Sequence, residues 1–177
     1  HCSIMQVDTI TKIEQELAKC RPYGSVYLAA HPFRNEYYFI GDTKEQSSLY
    51  RLSLEDGQAN VEHIPCTGYC EYPNRDIAVS PDGKHLALTR RANRFSEDLY
   101  VLNLDSMEER RLTHQQVDII GISWHPSSQH ILMASVDSGK RSGYLVDIEQ
   151  GEKALLRIEN FGSPSRVTTD GTVYYHS

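Results

Sequence analysis

No apolar run in these 177 residues approaches the roughly 18 needed to cross a bilayer as a helix, and no secretory leader is visible at the start, HCSIMQVD. Those opening residues are not a natural initiation sequence. The chain therefore reads as a mature or excised segment whose targeting information, and any membrane helix, lay upstream. Catalytic signatures are missing too. There is no His-Glu-x-x-His pair, no phosphate-cradling glycine loop and no dinucleotide fingerprint. Gly121-Ile122-Ser123-Trp124-His125 approaches a nucleophile elbow, but His stands where the last Gly is required and the segment falls in an expected strand. Ser123 is read as a strand residue and the chain as a non-enzyme without a cofactor. A surplus of one charge sign suited to nucleic acid is also lacking. Eighteen Lys and Arg against 24 Asp and Glu leave a net charge of −6, so no direct nucleic-acid contact is expected of this segment.

What the chain does have is a repeat. IAVSPDGKHLALTR (77–90) is followed by DLYVLNL (98–104), the turn DSMEE and RRLTH (110–114). Beside it stand GISWHPSSQHILMAS (121–135) with GYLVDI, EQGE and KALLRI after it, and YLAAHPFRNEYYFIG (27–41) with SLYRLSL, EDGQ and NVEHIP after it. Each copy reads strand, tight turn, strand, loop, strand, turn, strand. The spacing of about 45 residues is that of β-propeller blades. Ile77, Val79, Leu86, Leu88, Leu99, Val101 and Leu112 fall at alternating positions, so each strand has one apolar face. Pro81-Asp82-Gly83 supplies a preset φ, a side-chain cap and a glycine for a left-handed turn position. A sheet this small cannot bury both faces alone, and stacked neighbours supply a continuous core. Evenly spaced strands would also suit a β-sandwich. The propeller is preferred because turn residues and strand lengths recur together.

The run Ser80 to Leu88, the run Asp98 to Leu104 and Arg110 to Thr113 resemble the TolB-type propeller repeat. Such repeats are found in periplasmic TolB, in propeller domains of prolyl-oligopeptidase-like enzymes, and in extracytoplasmic portions of CadC- or ToxR-like membrane-anchored regulators. The resemblance runs from Val26 onward. It is strongest at Pro81, weaker at Pro126, where His125-Pro126-Ser127-Ser128 replaces the Pro-Asp-Gly turn, and weakest at Pro32. The expected fold is all-β: a partial propeller of about three and a half four-stranded blades (25–65, 75–114, 118–158 and an incomplete 165–177) behind an N-terminal helical cap (1–24). Thr11 to Cys20 suggests that helix, with Ile10, Ile13 and Leu17 at helical spacing and Thr11 with Glu14 placed as a capping box. An unpaired last strand, Thr172 to His176, would invite a protein partner or a second copy of the chain at the open edge.

Four cysteines allow three pairings. The simplest is Cys2 with Cys20 and Cys66 with Cys70, which implies an oxidising compartment such as a periplasm. The Cys66-x-x-x-Cys70 spacing would also suit zinc, though a structural site wants two such pairs or nearby histidines. Binding residues in a propeller collect on its loops. The candidates are Arg90, Arg91, Asn93 and Arg94, read as one basic loop, the aromatic Tyr69 and Tyr72, and Trp124 with His125. Trp124 is also suited to the core between blades, and the arginines to a solvated loop. The function the resemblance implies is a non-catalytic periplasmic sensing or protein-interaction domain. It would be the sensor region of a membrane-anchored winged-helix regulator, responding to a protein or a small-molecule ligand. The alternatives are an accessory propeller of a prolyl-oligopeptidase-like hydrolase and a TolB-like envelope scaffold.

Overall fold

The computed structural model describes residues 2–20, 27–42, 47–66, 74–93, 96–114, 117–151, 153–156, 158 and 160–176, and every regular element among them is a strand. In chain order these are β1 (Cys2–Val7), β2 (Glu14–Cys20), β3 (Leu28–Ala30), β4 (Glu36–Asp42), β5 (Ser47–Glu55), β6 (Gln58–Ile64), β7 (Asn74–Val79) and β8 (His85–Asn93). There follow β9 (Ser96–Asn103), β10 (Glu109–Arg111), β11 (Asp118–Trp124), β12 (His130–Asp137), β13 (Lys140–Asp147), β14 (Lys153–Leu156), β15 (Pro164–Val167) and β16 (Val173–Tyr175). Three antiparallel meanders, β3 to β6, β7 to β10 and β11 to β14, each form a four-stranded sheet, and β1–β2 and β15–β16 are two-stranded. Two compact units result, His1–Pro73 and Asn74–Ser177.

In the first unit the period of two puts Tyr37 and Phe39 of β4 and Tyr50, Leu52 and Leu54 of β5 on one face. Phe39 and Tyr50 stack with ring centroids 5.2 Å apart. Against this face lie Ile4 of β1 and Leu17 of β2. The expected N-terminal helix is therefore a β-hairpin. Asp8 Oδ1 accepts from the amides of Ile10 and Thr11 at 2.8 and 2.7 Å, the Lys12 amide donates back to the Asp8 carbonyl at 2.8 Å, and Lys12 adopts a φ of 61°. That turn sends the chain back along β1. Of the three residues that suggested a helical stripe, Ile10 is 90% exposed and Ile13 68% exposed, so only Leu17 gains by burial. A short helix without a buried face is marginal in water, whereas the hairpin pairs its backbone with β1.

In the second unit the sheets β7–β10 and β11–β14 lie face to face. Ala87, Leu99, Val101 and Leu112 of one meet Ile122, Trp124, Ile131, Met133, Val146 and Ile148 of the other. Three hydrogen bonds cross this layer between residues 46 apart in sequence. The Ile122 amide donates to Asp76 Oδ2 at 3.2 Å, Trp124 Nε1 to the Ala78 carbonyl at 2.8 Å, and the Asp82 amide to Ser128 Oγ at 3.0 Å. The sequence repeat is thus the contact period of the stack. The far face of β11–β14, with Leu132, Ala134 and Leu145, is covered by Phe161 and by Val167 and Val173 of the last hairpin. Gly83 has the expected positive φ, 73°, and Gly171 has 85° in the corresponding turn between β15 and β16.

Candidate functional site

Arg90, Arg91 and Asn93 lie within β8 rather than in a loop. Register decides what becomes of them. On the face of this sheet opposite Ala87 and Val101, Arg90 stands across from Asp98, and Leu88 across from Tyr100. Arg90 is 2% exposed, with its guanidinium 4.6 Å from the centroid of the Tyr100 ring and both Nη atoms on the Glu109 carboxylate. Next to it Arg111 Nη2 donates to Asp98 Oδ2 at 2.6 Å, and Thr113 Oγ1 to Asp98 Oδ1 at 3.1 Å. Arg91 stands 3.8 Å from Glu97. Arg90 and Arg91, two of the residues expected to form a basic loop, thus each stand beside a carboxylate, Arg90 on Glu109 and Arg91 near Glu97. Burial pushes the Tyr100 hydroxyl pKa up, although Arg111 and Arg90 pull the other way.

The other candidates are placed as follows. Trp124 belongs to the core between the two sheets of the second unit. His125 Nδ1 lies 2.9 Å from Ser127 Oγ and accepts from the Ser127 amide at 3.2 Å. His31 does the same work in the first unit, where its Nδ1 accepts from the amides of Phe33 and Arg34 at 3.1 and 3.0 Å. The sequence offered His125 as a binding candidate; the structure gives it, like His31, a turn-capping contact. Both hold the turn that Ser80 and Asp82 hold elsewhere, where Ser80 Oγ donates to Asp82 Oδ1 at 2.6 Å. Burial pushes the Asp82 carboxyl up, but the Ser80 hydroxyl and the Lys84 amide more than offset it, and its pKa falls below the ordinary value. Ser123 sits in β11, as a strand residue.

Tyr69, Tyr72, Arg94 and Cys70 lie outside the described residues. Cys66 is disulfide-bonded, and the β1–β2 register sets Cys2 opposite Cys20. Among the described residues no cluster of three or more His, Cys, Asp or Glu could hold a metal ion, and no helix is long and apolar enough to cross a membrane.

Each of the two hairpins carries exposed apolar side chains. Met5 and Val7 of β1 are 50% and 52% exposed, and Tyr174 of β16 is 59% exposed. Neither β1 nor β16 has a second partner strand among the described residues. The charge alternation that often blunts an edge is absent from both.

No family model matches the chain. Over 116 residues, 66% of this chain and 18% of the other, it is 30% identical to an uncharacterized WD repeat-containing protein of Schizosaccharomyces pombe. The structure superposes on a putative TolB of Agrobacterium tumefaciens with a TM-score of 0.70 at 17% identity, covering 93% of this chain and 62% of that one. These sheets are β-propeller blades. TolB of Acinetobacter baumannii gives a TM-score of 0.67 at 17% identity over 87% of this chain and 37% of its own. An acylaminoacyl peptidase of Pyrococcus horikoshii gives 0.54 at 17% identity over 77% of this chain and 26% of its own. The chain spans less than two thirds of the length of each of these proteins. Within the blades, β7 and β11 are first strands and β10 and β14 are fourth strands.

Proposed function

We propose that these propeller blades form a non-catalytic interaction and sensing module exported to the periplasm. The observation that carries the interaction reading is the exposed apolar surface at Met5 and Val7 of β1 and at Tyr174 of β16, strands with no second partner among the described residues. The module binds a protein partner or a second copy of itself there. The disulfide at Cys66 supports an oxidising compartment. The repeat's resemblance to CadC- and ToxR-like regulators supports the finer reading of a sensor joined through a membrane helix to a winged-helix DNA-binding domain, which answers to a partner or a small-molecule ligand.

A fusion tests this. Joined to a membrane helix and a cytoplasmic winged-helix DNA-binding domain, the chain should drive a transcriptional reporter, and Met5→Lys with Tyr174→Lys should change the output. Output equal to that of the same fusion without the chain would overturn the sensing reading.

A second reading is favoured by the peptidase among the structural neighbours: an accessory propeller beside a hydrolase domain. Labelling of the parent protein by a fluorophosphonate probe would establish it. The two TolB neighbours favour an envelope scaffold in the same way, and constitutive envelope partners without reporter output would point there.

A further inference from the structure

Copies of one turn within a single chain serve as controls for one another. Between β1 and β2, Asp8 Oδ1 accepts from the amides of Ile10 and Thr11, and the amide of Lys12, with its φ of 61°, donates to the Asp8 carbonyl. The turn after β9 is the same. Asn103 Oδ1 accepts from Asp105 and Ser106 at 2.9 Å each, and the amide of Met107, with a φ of 58°, donates to the Asn103 carbonyl. Asp147 repeats it with Glu149, Gln150 and Gly151, whose φ is 69°. The geometry is shared, but the outward side chains differ. Where the later copies expose Asp105 and Glu149, the first exposes Ile10. Ile13 takes the place of Glu108, and Lys12 the place of Met107 and Gly151.

The turns between first and second strands diverge in the same direction. Each leading amide closes onto a carbonyl beyond the turn: His31 onto Glu36, Ser80 onto His85, His125 onto His130, Thr168 onto Thr172. Two residues after the leading one stand Phe33, Asp82, Ser127 and Asp170, all exposed, and next to them Arg34, Gly83, Ser128 and Gly171. Phe33 is 75% exposed. The turn itself does not require Phe33 or Ile10, since the other copies close without them.

Both divergent turns belong to the first unit and lie at one end of it. The Leu54 amide donates to the carbonyl of Asn35, beside Arg34, at 2.9 Å, and Gln15 Nε2 donates to the carbonyl of Gly57, just past Leu54, at 3.5 Å. Further strands of a sheet add along an edge. These tips lie across strand ends, and the amides of Ile10, Thr11, Lys12, Phe33 and Arg34 are already bonded within their own turns.

We propose that this end of the first unit is a contact surface for a phospholipid bilayer, with Ile10, Ile13 and Phe33 entering the acyl boundary while Lys12 and Arg34 meet headgroup phosphates. Such contact is independent of the protein partner proposed above. A fluid apolar phase accepts projecting side chains without shape complementarity, whereas a protein would need a recess for each tip. The cations fit the same occupant, because each apolar tip carries one at a position where the later copies have none. Arg34 lies 3.8 Å from Glu36, and Glu55 and Asp56 remain exposed at the same end. Binding therefore rests on apolar insertion and phosphate contact and does not need anionic lipid.

Phe33→Trp, mixed with vesicles of phosphatidylcholine brominated on its acyl chains, tests this. The new indole should be quenched, while the parent protein, whose Trp124 is sealed between two sheets, keeps its emission. Giving the first turn the residues of the second, Ile10→Asp, Lys12→Met and Ile13→Glu, should weaken co-sedimentation with phosphatidylcholine vesicles by about tenfold or more. The melting curve should not move, because Asn103 already closes the same turn around those residues. Phe33→Ser, which installs the residue of the third copy, should weaken vesicle binding in the same way. An indole at position 33 that brominated lipid leaves unquenched, or quenching unaltered by the exchange, would overturn the proposal. A response of that indole to a protein partner alone would assign the tips to protein docking and overturn it as well. Reporter output from the fusion would stand in either case.

Discussion

Arg90 reaches past β9 to Glu109, its Nη1 and Nη2 lying 2.8 and 2.7 Å from Oε1 and Oε2, with both side chains all but sealed from water. The fork matches the carboxylate, and the Tyr100 ring beneath it supplies a π face that replaces lost solvent on the guanidinium. The pair joins the second strand of the sheet to its short fourth strand, whose backbone pairing covers only Glu109, Arg110 and Arg111.

Breaking one partner leaves a buried charge. Arg90→Met is expected to lower unfolding stability by about 3–5 kcal/mol, and Glu109→Leu by a similar amount, measured by urea denaturation. The double variant should cost far less than the two together. Arg90→Lys should rescue only part of the loss, because an ammonium cannot fork. Strictly additive costs would show that the two residues are not coupled.

His31 should behave as a turn cap. Its Nδ1 accepts from two backbone amides, so the ring carries its proton on Nε2. Asn places a carbonyl oxygen near the same point. His31→Asn is expected to stay within about 0.5 kcal/mol of the parent protein, while His31→Leu loses about 1–2 kcal/mol through two unsatisfied amides. Equal thermal shifts for both variants would remove the capping role.

Acid should weaken the fold from about pH 4 downward. Hydrogen bonds hold four carboxyls below the ordinary value of 3.8: Asp8 through the Thr11 and Ile10 amides, Asp147 chiefly through Gln150, Asp170 through Thr168, and Asp82 despite its burial. A depressed folded value stabilises above 3.8, and that stability is lost as pH falls through the folded value. Asp76 works in reverse. Burial raises its pKa against the pull of the Ile122 and Ile77 amides, so its contribution is present at low pH and lost as pH rises through the raised value. Melting temperatures should therefore drop between pH 5 and pH 2. Asp76→Asn should raise the melting temperature more at pH 7 than at pH 3. A flat acid profile would count against all four caps.

Local signals were legible in the chain and distant ones were not. Pro81-Asp82-Gly83 and the alternation around it identify a turn and its strands, because that chemistry lies within a few residues. Ile10, Ile13 and Leu17 satisfy a helical period equally well, and only the Asp8 turn and the face offered by Phe39 and Leu52 decide for a strand. Arg90 was read as loop charge because Glu109, its partner, is 19 residues away on a strand that sequence spacing alone does not bring alongside. The kinship of SIMQVD (3–8) with LYVLN (99–103) was available. Each ends a strand on an Asp or Asn whose side chain caps the turn, but the residues that follow differ enough to hide it.

Trp124 is the one tryptophan in the sequence, wedged between two sheets with its indole nitrogen on the Ala78 carbonyl. The molecule thus contains its own optical gauge. Emission should stay blue while those sheets are closed and move to the red once water enters between them. Fraying of either terminal hairpin should leave that colour unchanged, so fluorescence and far-ultraviolet dichroism will separate loss of the stack from loss of its ends.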